Sequence, residues 1–228
     1  MLVKKISLVI PVFNESESLE ILYREILKVF KVHFKKYNLE IIFINDSSED
    51  KTGLILNRLR TKDQRINLIT FRKRMGKTQA LRVGFQKAGG ELVVTLDSDL
   101  QDDSNNIPKL LEKLEEGFDL VVGWRKHRKD PAAKIFISKA FNFLLRSISQ
   151  MPVHDFNCGL KIMRKDVAKK IIFFGQSHRF IPLIAAKAGF KVGEVEVNHR
   201  QRLYGKSKYD WTKIFNSFFD FLKIQMSR

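Results

Sequence analysis

The sequence has a single cysteine, and this scarcity excludes whole classes of protein. Cys158 has no partner for an internal disulfide, so a scaffold of cross-linked loops is ruled out. A zinc site built on pairs of cysteines is excluded for the same reason. One thiol in 228 residues is typical of a reducing compartment, and we expect a cytoplasmic protein.

Long uncharged runs are missing too. The longest stretch without Asp, Glu, Lys or Arg covers residues 6–14, which is nine residues. A helix that spans a bilayer needs roughly 18 or more apolar residues. The first apolar residues run directly into Pro11, without the small-residue cleavage site of a signal peptide. We therefore expect neither a transmembrane helix nor a secretory leader.

Two common nucleotide-binding signatures are also absent. No Gly-x-Gly-x-x-Gly follows the first predicted strand, which disfavours dinucleotide oxidoreduction. Residues 76–78, Gly-Lys-Thr, resemble the end of a Walker loop, but the earlier glycine of that loop is missing. This segment is expected instead to begin a helix with basic residues near a phosphate.

Positive charge is in large excess. The chain has 42 Lys and Arg against 25 Asp and Glu, a formal charge of +17. Such a surface attracts polyanions, which include nucleic acid, anionic lipid and phosphorylated small molecules. Apolar residues make up 44% of the chain, and its length suits one α/β domain with a buried core. Because repeats and linkers are absent, we expect a single domain over residues 1–228.

The order of predicted elements is that of an α/β sheet. Five apolar strands alternate with helical patterns in the first half, at residues 8–13, 40–44, 66–71, 91–96 and 119–123. Strands that are apolar on both sides predict a Rossmann-like, mostly parallel sheet with helices on both faces. The rest of the chain is predicted to hold a long helix after Pro131, an extended piece at 158–163, two short helices, a strand at 190–197 and a terminal helix from Trp211.

Polar side chains follow each of the five strands, where ligands bind in open parallel sheets. Asp97 and Asp99 follow the fourth strand directly. In extended backbone, side chains two apart lie on one side, so both carboxylates would face the same ligand. Such a pair suits Mg²⁺ or Mn²⁺, which keep coordination positions open for a diphosphate. The alternative is that either acid only caps the next loop or helix.

Several motifs together resemble known enzymes. Three of them resemble the family 2 glycosyltransferases, which have a GT-A fold: PVFNE at 11–15, NDSSEDKT at 45–52 and LDSDLQ at 96–101. Three more resemble the branch of dolichyl-phosphate mannose synthases and bacterial polyprenyl-phosphate glycosyltransferases: VGWR at 122–125, DFNCGLK at 155–161 and RLYGKSKY at 202–209. The resemblance covers nearly the whole chain. It implies inverting, metal-dependent transfer of a hexose from a GDP-mannose or UDP-glucose type donor to polyprenyl or dolichyl phosphate.

The resemblance also implies a role for individual residues. The nucleotide sugar would be bound by Pro11, Asn14, Glu15, Asp46, Asp97, Arg202 and Lys208. Mg²⁺ or Mn²⁺ would be held by Asp97, Asp99 and Gln101. The acceptor phosphate would be bound by Arg125, Lys134 and Ser138, and the catalytic residues would be Asp99 and Arg202. Residues 1–124 would thus form the nucleotide-sugar-binding half and 125–228 the acceptor and membrane-facing half.

Two departures from the family pattern concern binding. Asn45 stands where many relatives have an aspartate, which alters the contact to the donor there. Lys134 stands where the branch often has an arginine, and lysine lacks the two-pronged guanidinium. The second change affects affinity for the acceptor rather than the chemistry.

The acceptor decides whether a base is needed. A lipid monophosphate has a second pKa of about 6, so it is largely dianionic at neutral pH and attacks without help. A saccharide hydroxyl, the alternative acceptor, needs a general base, for which Asp102, Asp103 and Asp155 are candidates. A third hypothesis, that the chain is a non-enzymatic nucleic-acid-binding protein, rests only on its net positive charge. The chain lacks the interleaved aromatic and basic platform of single-strand binders, so no nucleic-acid partner is expected.

The basic helix predicted after the fifth strand indicates where in the cell the protein acts. Residues 125–146 contain seven Lys or Arg and one Asp among many apolar residues, and the terminal segment has a similar pattern. Such helices can lie in a bilayer interface, so we expect peripheral association with the membrane surface. The alternative is that their apolar faces only pack on the sheet. Since many relatives continue into transmembrane helices, attachment would depend on these helices, on a small membrane-protein partner or on a longer native chain.

Overall fold

The computed structural model describes the backbone of residues 4–204 and 212–226, and the side chains of these except 132–134 and 212–218. The strands are β1 (Lys4–Val12), β2 (Tyr37–Asn45), β3 (Ile66–Thr70), β4 (Leu92–Thr95), β5 (Leu120–Trp124), β6 (Lys161–Arg164) and β7 (Val192–Glu196). The α-helices are α1 (Leu19–His33), α2 (Thr52–Lys62), α3 (Lys77–Lys87), α4 (Ile107–Glu115), α5 (Ala132–Ser149), α6 (Lys165–Lys170), α7 (Ile181–Lys187) and α8 (Thr212–Met226).

The strands form one sheet in the order β3-β2-β1-β4-β6-β5-β7. Neighbours pair in parallel except at β6, which is antiparallel to both β4 and β5. The predicted mostly parallel sheet is confirmed. The extended piece expected at 158–163 is a shorter strand, and its first residue, Lys161, pairs with Thr95 at the carboxyl end of β4. The residues just before β6 therefore lie at the same edge of the sheet as those just after β4.

The neighbouring parallel strands β1 and β2 contribute long buried runs to the core. In β1, Ile6 and Leu8–Ile10 are fully buried, and so is Ile41–Ile44 in β2. Continuous apolar runs of this kind are expected of strands covered on both faces. Helix α3 approaches β1 and β2 at Gly84, where an added Cβ would lie 3.1 Å from Ile44 Cδ1 and closer still to Val9. A side chain at this position would push the helix off the sheet.

The long helix α5 and the terminal helix α8 pack through a shared aromatic cluster. Phe180 lies between Phe141 of α5, at 6.5 Å between ring centroids, and Phe221 of α8, at 5.9 Å. Large apolar side chains on the other faces of the two helices stay exposed: Phe136, Phe143, Leu144, Ile148, Phe219 and Met226. In the described part of the chain, no helix combines the length and the apolar character needed to cross a bilayer.

Candidate functional site

The carboxyl ends of β1, β2, β4 and β5 border one cavity of about 350 Å³. Its charged and polar wall includes Glu15, Asp46, Lys77, Asp97, Asp99, Gln101, Arg125, Arg128, Ser138 and Arg202. Its apolar wall comes mainly from α5 and the aromatic cluster and includes Ile137, Phe141, Leu145, Phe156 and Phe180. The cavity can therefore take a ligand with a highly charged part and a hydrocarbon part.

Asp97 pairs with a lysine from the start of α3. Lys77 Nζ lies 2.6 Å from Asp97 Oδ1 and 2.8 Å from Oδ2. Burial opposes ionisation of Asp97, but the charge and the hydrogen bonds of Lys77 outweigh it and lower the pKa of the carboxyl. Asp97 is therefore an ionised carboxylate held at the cavity wall.

Asp99 also lines the cavity, although not for the reason that the sequence suggested. Strand β4 ends at Thr95 and the chain then turns, with Leu100 at a left-handed φ of 62°. The alternation of an extended strand is thus not what brings the two carboxylates together. Asp99 Oδ1 accepts the backbone N–H of Gln101 at 3.1 Å, and Oδ2 accepts a hydrogen bond from Arg202 Nη2. Burial and the charge of Asp97 raise the pKa of Asp99.

A third carboxyl group, Asp102, lies behind this pair. It is 3% exposed, and its Oδ2 has no hydrogen-bond partner among the described residues. Burial, followed by the charge of Asp97, raises the pKa of Asp102 to about 7. A Cβ on Gly159 would lie 2.7 Å from Asp97 Oδ2 and closer still to Asp102 Oδ2, so the two carboxyl groups meet at this glycine. Three carboxyl groups, Asp97, Asp99 and Asp102, therefore lie close together after β4.

This environment fits a divalent cation. Among the described residues, no three His, Cys, Asp or Glu side chains form a complete metal-ligand set. Mg²⁺ and Mn²⁺ commonly use one or two carboxylates and complete their shells with water and substrate phosphates. Asp97, Asp99 and Gln101, which all line the cavity, offer that incomplete oxygen set.

Asp46 fixes the backbone turn just before α3 begins. Its Oδ1 accepts the N–H of Met75 at 2.6 Å and its Oδ2 accepts the N–H of Gly76 at 2.9 Å. The residue lines the cavity as expected, and it also fixes the turn that presents Lys77 to Asp97.

The predicted donor residues after β1 separate into two groups. Pro11 and Glu15 line the cavity, whereas Asn14 is not part of its wall. Asn14 adopts a left-handed φ of 50° and joins two loops. Its Oδ1 accepts the N–H of Glu49 at 2.8 Å, and its own N–H donates to Ser48 Oγ at 3.0 Å.

A buried ion pair holds Arg125 in the wall of the cavity. Arg125 donates through Nε and Nη2 to Asp155, at 2.7 and 3.0 Å, and both side chains are nearly buried. Burial opposes ionisation of both groups, but their mutual attraction outweighs it, so the pKa of Asp155 falls and that of Arg125 rises. Of the candidate bases, none of Asp102, Asp103 and Asp155 is in the described wall of the cavity.

The expected acceptor-phosphate residues have mixed outcomes. Ser138 lines the cavity, and its Oγ accepts a hydrogen bond of 2.7 Å from Arg128 Nη1. The side chain of Lys134 and the whole of Lys208 lie outside the described residues, so their roles stay predictions. Arg128 was not predicted, because it sits in a basic run whose members look alike in the sequence. Lys77 was expected near a phosphate, but its pairing with Asp97 was not foreseen.

Comparison with known proteins gives consistent relatives. A model of glycosyl transferase family 2 matches residues 7–172. An undecaprenyl-phosphate 4-deoxy-4-formamido-L-arabinose transferase of Photorhabdus laumondii is 31% identical over 221 residues, which cover 96% of this chain and 67% of that protein. A dodecaprenyl-phosphate galacturonate synthase of Rhizobium johnstonii is 32% identical over 228 residues, which cover 96% of this chain and 66% of that protein. The chain thus spans about two thirds of the length of these relatives.

Solved structures share the architecture at low identity. A mannosyltransferase of Pyrobaculum calidifontis, in complex with GDP-Man and Mn²⁺, has a TM-score of 0.72 and 17% identity, and the match covers 99% of this chain and 65% of that one. A glucosyl-3-phosphoglycerate synthase of Mycobacterium tuberculosis, in complex with Mn²⁺ and UDP-glucose, has a TM-score of 0.69 and 18% identity, covering 93% and 74%. At these identities the likeness shows the fold alone.

Proposed function

Because the chain belongs to glycosyl transferase family 2, we propose that it transfers a hexose from a nucleotide sugar to the phosphate of a polyprenyl lipid, with inversion at the sugar carbon. The predicted family and the predicted GT-A fold are confirmed, and the protein is a glycosyltransferase. The choice of acceptor rests on the cavity, whose lining combines carboxylates, several arginines, among them Arg125 and Arg128, and an apolar wall.

The carboxylates in the cavity wall suit the donor. Asp97, Asp99 and Gln101 would hold Mg²⁺ or Mn²⁺, which supplies positive charge to the diphosphate leaving group. Arg202, which lines the cavity and donates to Asp99, would neutralise charge on that diphosphate as its bond to the sugar breaks. Pro11, Glu15 and Asp46 line the adjoining part of the cavity and would contact the nucleoside, of GDP or UDP type.

Arg125 and Arg128 in the cavity wall suit a phosphate nucleophile. A phosphate oxygen of the acceptor would attack the sugar carbon from the face opposite the diphosphate, forming one C–O bond as the other breaks and the nucleoside diphosphate leaves. Because the acceptor is largely dianionic at neutral pH, no side chain has to remove a proton. The positions of Asp102, Asp103 and Asp155 outside the described wall agree with this reaction.

The exposed apolar faces of α5 and α8 support a membrane-surface location. Phe136 and Phe143 on α5 are 74% and 73% exposed, and Phe219 on α8 is 61% exposed. Lys139 and Arg146 are exposed on the same helix α5. Apolar residues flanked by basic ones bind anionic bilayer interfaces, and the apolar wall of the cavity includes Phe141 of the same helix. The hydrocarbon of a lipid acceptor would then remain close to the membrane.

The test is a screen of nucleotide sugars with a short polyprenyl phosphate and, separately, with saccharide acceptors, each with Mg²⁺, Mn²⁺ or EDTA. We expect one sugar to be added to the lipid phosphate, detected by mass, only when a divalent ion is present. Asp99→Asn should remove this turnover, while Asp166→Asn, the same charge change at an exposed position on α6, should not. Transfer to a saccharide hydroxyl, or unchanged turnover in EDTA, would contradict the proposal.

The membrane component has its own test. Phe136→Ser combined with Phe143→Ser should reduce co-sedimentation with vesicles of anionic phospholipid. Leu54→Ser is a matched control because Leu54 is also 74% exposed but lies on α2. Equal co-sedimentation of the double variant and the wild type would exclude this face of α5 as the membrane contact.

A further inference from the structure

Arg128 reaches the cavity from the loop between β5 and α5. Its guanidinium lines the cavity and donates through Nη1 to Ser138 Oγ at 2.7 Å. Nε and Nη2 both donate to a single oxygen of Asp130, Oδ2, at 3.0 and 2.8 Å. Arginine has five N–H groups, and within the described residues three of those of Arg128 have protein acceptors. Two donors are therefore left for a ligand.

Arg125 and Arg128 are held in position in the same way. Each guanidinium is fixed by a buried aspartate, Asp155 or Asp130, and neither aspartate is in the described wall of the cavity. The side chain of Arg128 is 9% exposed and that of Asp130 is 4% exposed, so the pair is fixed by packing as well as by charge. This arrangement holds two guanidinium groups at one wall and keeps their neutralising carboxylates behind it.

We propose that Arg128 binds the acceptor's phosphate, together with Arg125 and the hydroxyl of Ser138. This inference rests on the proposed function and adds a residue to it. Guanidinium groups bind phosphate through two parallel N–H bonds, and a monophosphate dianion has oxygens enough for two such groups and a hydroxyl. The Oγ of Ser138 accepts from Arg128 in the structure and keeps its own O–H to donate to a phosphate oxygen.

The contact between Arg128 and Ser138 also suggests how the site compensates for a lysine at position 134. A lysine at that position keeps a positive charge but lacks the two-pronged geometry of arginine. Arg128 supplies a guanidinium at Ser138, four residues further along α5, and would provide the two-pronged contact that a lysine side chain cannot make. On this view, specificity for a phosphate acceptor comes from the β5–α5 loop as much as from the helix.

A purely structural role for Arg128 is the competing explanation. Asp130 lies 3.9 Å from His199 Nε2, and the N–H of Lys129 donates to His199 Nδ1 at 3.3 Å, so the loop is attached to the segment after β7. If Arg128 served only this attachment, its loss would lower stability and disturb the whole site. A role in binding phosphate affects the acceptor and spares the donor.

The experiment measures equilibrium binding of farnesyl phosphate, a short lipid monophosphate, and the KM of the full chain for this acceptor and for the donor sugar. Farnesol and inorganic phosphate serve as separate probes of the lipid and the anion. Arg128→Ala should weaken farnesyl phosphate binding and raise the acceptor KM by roughly ten- to a hundredfold, the range for hydrogen bonds to a charged group. The donor KM should change by less than about twofold, the size expected when no donor contact is lost.

Three further variants separate binding from folding. Arg128→Lys, which keeps a cation beside Asp130, should retain the melting temperature yet bind farnesyl phosphate more weakly than the wild type. Ser138→Ala should weaken the same binding without disturbing the ion pair. Lys129→Ala removes one charge from the same exposed loop and should leave both KM values unchanged.

The outcomes are distinguishable. If the wild type binds farnesyl phosphate and the Arg128 and Ser138 variants bind it equally well, the assignment of Arg128 is overturned and the proposed function stands. If Arg128→Ala raises both KM values and lowers the melting temperature while Arg128→Lys behaves as wild type, the residue is structural and the assignment is overturned. If the wild type neither binds nor glycosylates a lipid phosphate, the proposed function fails and this inference fails with it.

Discussion

Replacing Gly159 by alanine is expected to displace Asp97 and so to impair the site. The backbone φ of Gly159 lies outside the left-handed region, so alanine there brings no backbone strain. Its Cβ, however, would lie 2.6 Å from Asp97 Cγ and closer still to Asp102 Oδ2, where ordinary contact begins at 3.4 Å. Asp97 would have to retreat by about 0.8 Å, although Lys77 holds it on its other side.

The magnitude follows from these distances. Overpacking of a close-packed position costs about 1–3 kcal/mol of the free energy of unfolding. A misplacement near 1 Å in a catalytic geometry costs about a hundredfold in rate. For Gly159→Ala we therefore expect a chain that still folds, with a lower melting temperature, a turnover about a hundredfold lower and a higher concentration of Mn²⁺ at half-maximal rate.

The assay compares metal titrations of turnover with thermal unfolding. Gly89→Ala is the matched control, because its Cβ would meet nothing nearer than Glu40 Oε2 at 3.5 Å and it lies before β4, at the other end of the sheet. The control should keep the wild-type metal dependence. The reasoning is refuted if Gly159→Ala turns over at the wild-type rate with the wild-type metal dependence.

Two further predictions concern the segment after β7. Burial, followed by the charge of Arg125, lowers the pKa of His199 to about 4 from 6.5, so the folded state favours the neutral ring. The free energy of unfolding should therefore fall by up to roughly 3 kcal/mol as the pH drops from 6.5 towards 4, because the unfolded chain takes up the proton first. His199→Asn should flatten this part of the pH profile measured by urea unfolding. Parallel profiles of the variant and the wild type would contradict this expectation. Arg200 donates to Glu25 at 2.8 Å and to Asp103 at 2.7 Å, which anchors the chain two residues before Arg202. Arg200→Ala should lower turnover about tenfold, and an unchanged rate would show that Arg202 needs no such anchor.

The sequence predicted the location of the site better than its contacts. Buried apolar strands followed by polar residues were enough to bring Glu15, Asp46, Asp97 and Arg125 to one sheet edge, because parallel strands end at the same edge. The pairing of Asp97 and Asp99 was reached through an argument about extended backbone, whereas the chain turns there. The motif was informative, but its geometry depends on a turn that strand periodicity does not describe.

Other features depend on contacts between distant segments. Strand β6 enters the sheet antiparallel between β4 and β5, and this insertion brings Asp155 to Arg125 and Gly159 to Asp97, behind the wall of the cavity. Nothing in the local pattern of residues 158–163 states which strands they join. Arg128 and Lys77 were missed as partners for the same reason, since a basic residue in a loop shows its charge in the sequence but not its acceptor.

The ion pairs of the site have a common electrostatic logic under the proposed function. Lys77 pairs with Asp97 and Arg202 pairs with Asp99, so each carboxylate proposed to bind metal is matched by a cation proposed to lie near phosphate. When a metal and a diphosphate bind together, the carboxylates can pass to the metal and the cations to the phosphate. An isolated charge in a site of low dielectric is costly, and this exchange creates none. It follows that donor and metal should bind cooperatively, because either one alone would leave half of each pair uncompensated.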